Sequence, residues 1–147
     1  MTAAARNTAA LYTPAMLDLS VQLAKYPWQA NHPLHGEAHS RTCGGMVAAS
    51  LAYYNHRISA LGLRVSACAV GQAAAAVFAS AAKDRNTAEL RRSRDSIAAW
   101  LASGGPLPEW PRLHALEAAL PHPGRHQAIL LPWNAALDAL CKTDQTD

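Results

Sequence analysis

The segment Val65-Ser66-Ala67-Cys68-Ala69-Val70-Gly71-Gln72 changes from a strand pattern to a helix pattern at Cys68. Residues 58–65, which lead into it, alternate as a half-buried strand does. Residues 69–83, which follow, are rich in alanine and repeat their apolar positions at helical spacing. The sequence therefore predicts a strand that passes directly into a helix, with a thiol at the junction.

The residues upstream of this strand predict a small sheet. Residues 46–53 alternate in the same way, and Tyr54-Asn55-His56-Arg57 is typical of a hairpin turn. A short strand from Glu37 to Ser40 is predicted before the turn that contains Cys43. Because an antiparallel meander brings neighbouring strand ends together, we expect Cys43 and Cys68 to lie near each other.

Helical patterns flank the predicted sheet on both sides of the sequence. Thr13-Pro14 and Thr87 are suitable helix starts, and Pro132 is expected in the first turn of the last helix, where its missing N–H costs nothing. Helices are expected at residues 13–25, 69–83, 87–102, 113–120 and 126–140. The predicted fold is α+β, a small antiparallel three-stranded sheet packed against about five helices. Residues 11–140 form one domain, between a flexible start (1–10) and a flexible tail (141–147).

Composition excludes several classes of function. The 147 residues carry a net charge of +3, and the dense basic run Arg91-Arg92-Ser93-Arg94 is followed at once by Asp95, so a nucleic-acid-binding face is not predicted. No apolar run approaches the roughly 20 residues that span a bilayer, and residues 1–10 lack the apolar stretch of a signal peptide. Three cysteines without a dense spacing predict reduced thiols in a cytoplasm.

Cys68 and Cys43 are the candidate working thiols. At the start of a helix, Cys68 would meet unpaired backbone N–H groups and the positive end of the helix dipole, which favour the thiolate. The alternative is a buried structural cysteine. Cys43 lies in the polar turn Arg41-Thr42-Cys43-Gly44-Gly45, whose glycines let the backbone approach a ligand closely; here the alternative is an incidental turn cysteine.

Other possible ligands are less well placed. His126 follows a Pro/Gly loop and opens the last helix, so its ring could reach the pocket of Cys68, although a lone histidine there is more often a cap or a surface residue. Cys141 would lie about 20 Å along the same helix and cannot replace a ligand near its start. The cluster His32, His35 and His39 lacks the spacing of a zinc motif and predicts surface residues, with His39 a reserve ligand.

Taken in order, these segments resemble the IscU/SufU family of iron–sulfur cluster assembly scaffolds, also called the NifU N-terminal domain family, and within it the SufU-like subgroup. The segments that carry the resemblance are Leu11-Tyr12, Thr42-Cys43-Gly44-Gly45, residues 62–73, and Arg125-His126-Gln127-Ala128-Ile129-Leu130. The resemblance implies a SufE/NifU-like fold, a non-catalytic role in the bacterial cytoplasm, sulfur supplied by a cysteine desulfurase, and apo iron–sulfur proteins as recipients.

The same resemblance implies a site and shows where this chain departs from it. Cys43 and Cys68 match the family's first two cysteines, as metal ligands and sulfur acceptors, and His126 matches a histidine that precedes the third. The family's aspartate is Gly45 here, and its third cysteine is Gln127. Since three donors remain, the implied cargo is a labile [2Fe–2S] cluster or a zinc ion with an open position. A homodimer could complete a cluster by sharing it.

Two other functions stay open. The first is a SufE-like persulfide acceptor that holds no metal, which the loss of two metal-site residues at Gly45 and Gln127 favours. The second is a degenerate member of the family that only binds a partner. Neither composition nor spacing decides among the three.

Overall fold

The helices and strands of the chain are seen in a computed structural model that describes residues 12–42 and 44–146, with side chains up to residue 142. The sheet has the strand order β1-β2-β3, and both pairings are antiparallel. The elements are α1 (Pro14–Gln22), β1 (Leu34–His39), β2 (Met46–Tyr54), β3 (Arg57–Ser66), α2 (Ala69–Ala82), α3 (Thr87–Ser103) and α4 (His126–Thr146), with 3-10 segments at Leu23–Lys25, Leu113–Ala119 and Pro123–Arg125. The predicted α+β fold, a three-stranded antiparallel sheet packed against helices, is confirmed.

β1 begins three residues earlier than predicted. The expected strand was Glu37 to Ser40, and Leu34 to Gly36 were assigned to a loop, but the observed strand is Leu34–His39. The error arises at Gly36, which is buried against α4 where a large apolar residue would normally mark the inward face. With glycine at its one buried position, the strand has only Leu34 and Ala38 as apolar inward-facing residues, so its hydrophobic alternation is weak.

The predicted hairpin turn is confirmed. Asn55 and His56 both have positive φ, at 55° and 63°, as a type I′ turn requires. β2 is buried over five consecutive residues, 47–51, because the connection before β1 covers the second face of the sheet. There the N–H of Leu63 donates to the carbonyl of Tyr26, and the hydroxyl of buried Ser50 accepts the N–H of Gln29.

Three details of the predicted helices are wrong. The cap of α3 is Asn86, whose side-chain oxygen accepts the N–H of Glu89 at 2.8 Å, and Thr87 is the first helical residue. Pro132 lies inside α4 and not in its first turn, because the helix already begins at His126. α4 also continues to Thr146, whereas its end was expected near Leu140. Residues 1–10 lie outside the described residues, so the division into a domain with flexible ends stays a prediction.

The core is built around aromatic rings from three parts of the chain. Phe78 of α2 stacks on Trp110, and Trp133 of α4 meets both rings edge-on at centroid distances of 5.2 and 5.1 Å. The indole N–H of Trp110 donates to the carbonyl of Val77. The chain has one phenylalanine, and tryptophans supply the other rings of this cluster, although Trp28 is only partly buried. No helix among the described residues is long and apolar enough to cross a bilayer.

Candidate functional site

The pairing of the strands brings the two cysteine-bearing segments to one edge of the sheet. Met46, the first residue of β2, pairs with His39 at the end of β1 and with Ser66 at the end of β3. The loop 40–45 and the junction that leads to Cys68 therefore leave the sheet side by side. Cys43 itself lies outside the described residues, but the neighbours on both sides of it are described.

Cys68 lies where the sequence predicted, at the start of a helix. It is the N-cap residue of α2, with φ −65° and ψ 172°, and its side chain makes no capping hydrogen bond. The thiol belongs to a partly exposed residue that packs against the edge of the core. Cys68 is therefore not fully buried, and its role as a working thiol stays a prediction.

The first turns of α2 and α4 are in close contact beside Cys68. Gly71 of α2 lies at this contact, since a Cβ added to it would lie 3.6 Å from the Cβ of Ala128, an ordinary van der Waals distance. Ala128 is the third residue of α4 and is fully buried. The start of α4 is thus held directly against the helix that Cys68 caps.

The loop that contains Cys43 is tied to the same end of α4. The side-chain oxygen Oε1 of Gln127 accepts the backbone N–H of Arg41 at 2.8 Å and the hydroxyl of Ser40 at 3.4 Å. The hydroxyl of Thr42 donates to the carbonyl of Gly124 at 3.1 Å. Within the loop, the N–H of Ser40 donates to the carbonyl of Gly45 at 2.8 Å. Gln127 is therefore a hydrogen-bond acceptor for this loop.

His126 opens α4 as predicted, and one of its ring nitrogens is already engaged. Nε2 lies 3.0 Å from the carbonyl oxygen of Leu120 and 3.2 Å from that of Ala119. Because a carbonyl oxygen only accepts, Nε2 must carry the proton. Nδ1 is then the nitrogen with a free lone pair in the neutral ring, so a metal bound by His126 would be bound through Nδ1.

Of the remaining candidate ligands, His39 borders the contact between the loop and α4, and Cys141 lies away from it. His39, the reserve ligand, places Nε2 3.3 Å from a carboxylate oxygen of Glu37 and lines a surface cleft of about 320 Å³ with Arg41 and Gln127. Cys141 is exposed near the far end of α4, and its thiol donates to the carbonyl of Asp138. Its exclusion as a substitute ligand agrees with this position.

The residues that the structure describes do not by themselves form a metal centre. Among them, no three His, Cys, Asp or Glu side chains come together as a group that could hold a metal ion. A site would need the thiol of Cys43, which lies outside the described residues, together with Cys68 and Nδ1 of His126. The assignment of these three as ligands stays a prediction.

Sequence reasoning missed the role of the loop's polar neighbours. Gln127 was interpreted as a poor ligand to iron, and Arg41 and Thr42 only as the flanks of Cys43. Their hydrogen bonds join positions more than 80 residues apart. No local pattern marks such a contact, because it exists only once α4 packs against β1.

Comparison with solved structures identifies the fold. The chain is similar to an N-terminal NifU-like protein from Brucella abortus, described as nitrogen-fixing, with a TM-score of 0.87 and 24% identity over 96% of this chain and 99% of that one. It is also similar to a putative iron–sulfur cluster assembly scaffold protein for the SUF system, SufU, from Fervidobacterium islandicum, with a TM-score of 0.75 and 19% identity over 88% and 96% of the two chains. No protein-family model and no curated protein sequence matches. The predicted NifU/SufU-like fold is confirmed.

Proposed function

We propose that this protein is a scaffold-like protein of iron–sulfur cluster assembly. Cys43 and Cys68 bind iron, zinc or a nascent cluster, His126 assists, and the thiols receive sulfur from a cysteine desulfurase. One observation carries the proposal: the loop around Cys43 and the helix capped by Cys68 both adjoin the first turn of α4. The similarity of the fold to NifU-like and SufU structures supports it.

The set of metal-binding atoms suits a metal ion or cluster that is later passed on to another protein. Two thiolates and one imidazole nitrogen give three donors, whereas a [2Fe–2S] cluster usually has four protein ligands. A tetrahedral zinc ion bound by the same groups would keep one open position. The incomplete set therefore favours a labile cluster, completed by an external thiol or by a second copy of the chain.

Cys68 is a suitable thiol to accept sulfur. It is partly exposed and makes no capping hydrogen bond that would have to break first. As a thiolate it would attack the outer sulfur of the desulfurase persulfide, so that a new S–S bond forms on Cys68 and the desulfurase cysteine leaves as a thiolate. The persulfide formed on Cys68 is then the source of sulfur for a cluster, once an external thiol reductant supplies the two electrons that release its outer sulfur as sulfide and return Cys68 to the thiolate.

A metal-free persulfide acceptor is the second candidate. It is favoured by Gly45 and Gln127, which stand where the resemblance to the scaffold family expects two metal-site residues. It needs a single reactive thiol, and Cys68 alone provides one. Both candidates place the protein with a cysteine desulfurase in the bacterial cytoplasm, with apo iron–sulfur proteins downstream and without turnover of a small-molecule substrate.

Anaerobic reconstitution with iron and a sulfide source tests the proposal. We expect absorption between roughly 400 and 460 nm, from thiolate-to-iron charge transfer, together with iron and sulfide in stoichiometric amounts. A colourless protein that holds zinc would also support a metal site, of the SufU-like kind. A protein that binds neither, but carries a persulfide on Cys68 after incubation with a desulfurase and cysteine, would contradict the scaffold and establish the second candidate.

A further inference from the structure

The contact between Gln127 and the Cys43 loop is specific to the residues of this chain. Gln127 is the second residue of α4, and its Oε1 accepts from two neighbouring residues of the loop, Arg41 and Ser40. A cysteine at this position could not accept these bonds from the same place, because its sulfur is two bonds nearer the backbone and is a weak acceptor. The side chain of Gln127 therefore makes hydrogen bonds that a cysteine at this position could not make.

A second hydrogen bond holds the loop at the next residue. Thr42 donates to the carbonyl of Gly124, which lies just before α4. The loop is closed on itself by the bond from the N–H of Ser40 to the carbonyl of Gly45. The chain on both sides of Cys43 is thus fixed to α4, to the 3-10 segment before it, and to the start of β2.

We infer that Gln127 is a positioning residue, which holds the backbone of the Cys43 loop against the first turn of α4 in the absence of metal. In this chain the side-chain amide of Gln127 fixes the backbone of the loop by hydrogen bonds at Ser40 and Arg41, shortly before Cys43. Its importance for cargo binding rests on the proposed function. The positioning itself does not, because it requires no metal.

Hydrogen exchange of the Arg41 backbone amide in metal-free protein tests the inference. Gln127→Leu keeps the size of the side chain and removes the acceptor, so we expect exchange about three- to tenfold faster, the range for one hydrogen bond that water can partly replace. Gln127→Glu keeps an acceptor oxygen at the same distance and should restore protection at least to the native level. The matched control is Asn134→Leu, since Asn134 of α4 lines the same cleft as Arg41 and Gln127 but its side-chain oxygen accepts from Arg94 of α3.

Alkylation of the three cysteines by iodoacetamide, followed by peptide mass spectrometry, provides the second measurement. We expect Gln127→Leu to change the rate at Cys43 about threefold or more, and to leave the rates at Cys68 and Cys141 unchanged.

Equal Arg41 exchange in native and Gln127→Leu protein, or a Gln127→Glu variant that behaves like Gln127→Leu, would overturn the inference. Equal changes at all three cysteines would overturn it too, as they indicate general loosening. If Gln127→Leu changes Arg41 exchange as expected but the native protein takes up no metal or sulfur, the proposed function is refuted. The positioning role of Gln127 then still stands.

Discussion

Replacing Cys43 and Cys68 together by serine should reduce bound iron or zinc to background. A serine hydroxyl does not ionise near neutral pH, so each replacement removes a thiolate donor from a set that has only three. We expect each single variant to lose more than about 100-fold in metal affinity, because changes outside the immediate ligand shell already cost 10- to 100-fold. Metal content at a fixed free metal concentration measures the effect.

Cys141→Ser is the matched control for these variants. Cys141 is the third thiol of the chain, it is exposed, and it lies near the far end of α4. Its thiol should therefore react with alkylating reagents as readily as that of Cys68, but contribute nothing to metal binding. Undiminished metal in the double variant, or a loss in Cys141→Ser as large as in Cys68→Ser, would contradict the assigned ligands.

Gly36→Ala should destabilise the protein more than a methyl group added at any other described glycine that faces α4. The new Cβ would lie 2.3 Å from the backbone nitrogen of Ala139 and 2.4 Å from the carbonyl oxygen of Ala135. Neither atom can turn aside as a side chain can, so β1 and α4 must separate. We expect the free energy of unfolding to fall by about 3 kcal/mol, at the upper end of typical overpacking costs.

Urea unfolding of Gly36→Ala beside Gly124→Ala provides the measurement. Gly124 has no atom within 4 Å of an added Cβ, and so its replacement should change the free energy of unfolding by less than about 0.5 kcal/mol. Two variants of equal stability would show that α4 does not pack on β1 as described. Because that packing also sets where Gln127 meets the loop, the test bears on the candidate site as well.

Much of the fold was predictable, because strong local patterns and the topology they imply agree. The alternation of β2 and β3, the turn at Asn55-His56 and the alanine-rich α2 each carry a signal within a few residues. From these follows the meander that brings the loop 40–45 beside Cys68. The position of Cys68 as an N-cap residue follows from the same change of pattern.

What could not be predicted depends on contacts between distant residues. The start of β1 could not be recognised in the sequence, because its buried residue is Gly36 and not a large apolar residue. A glycine is needed there, since the backbone of α4 packs directly against it. The acceptor role of Gln127 and the engagement of the His126 ring arise from packing at the start of α4, with partners in other segments. Side-chain chemistry alone suggested weak metal ligands there. The contacts instead identify Gln127 as the acceptor that holds the loop, and they leave His126 with Nδ1 as its one nitrogen for binding a metal.

We propose that Cys43 and Cys68 bind one metal ion together. X-ray absorption at the zinc edge of zinc-loaded protein tests this most directly, since it counts sulfur neighbours of the metal. We predict two sulfur ligands at about 2.3 Å, with nitrogen or oxygen donors at about 2.0–2.2 Å completing the shell. A shell of nitrogen and oxygen alone, or one with a single sulfur, would contradict the account.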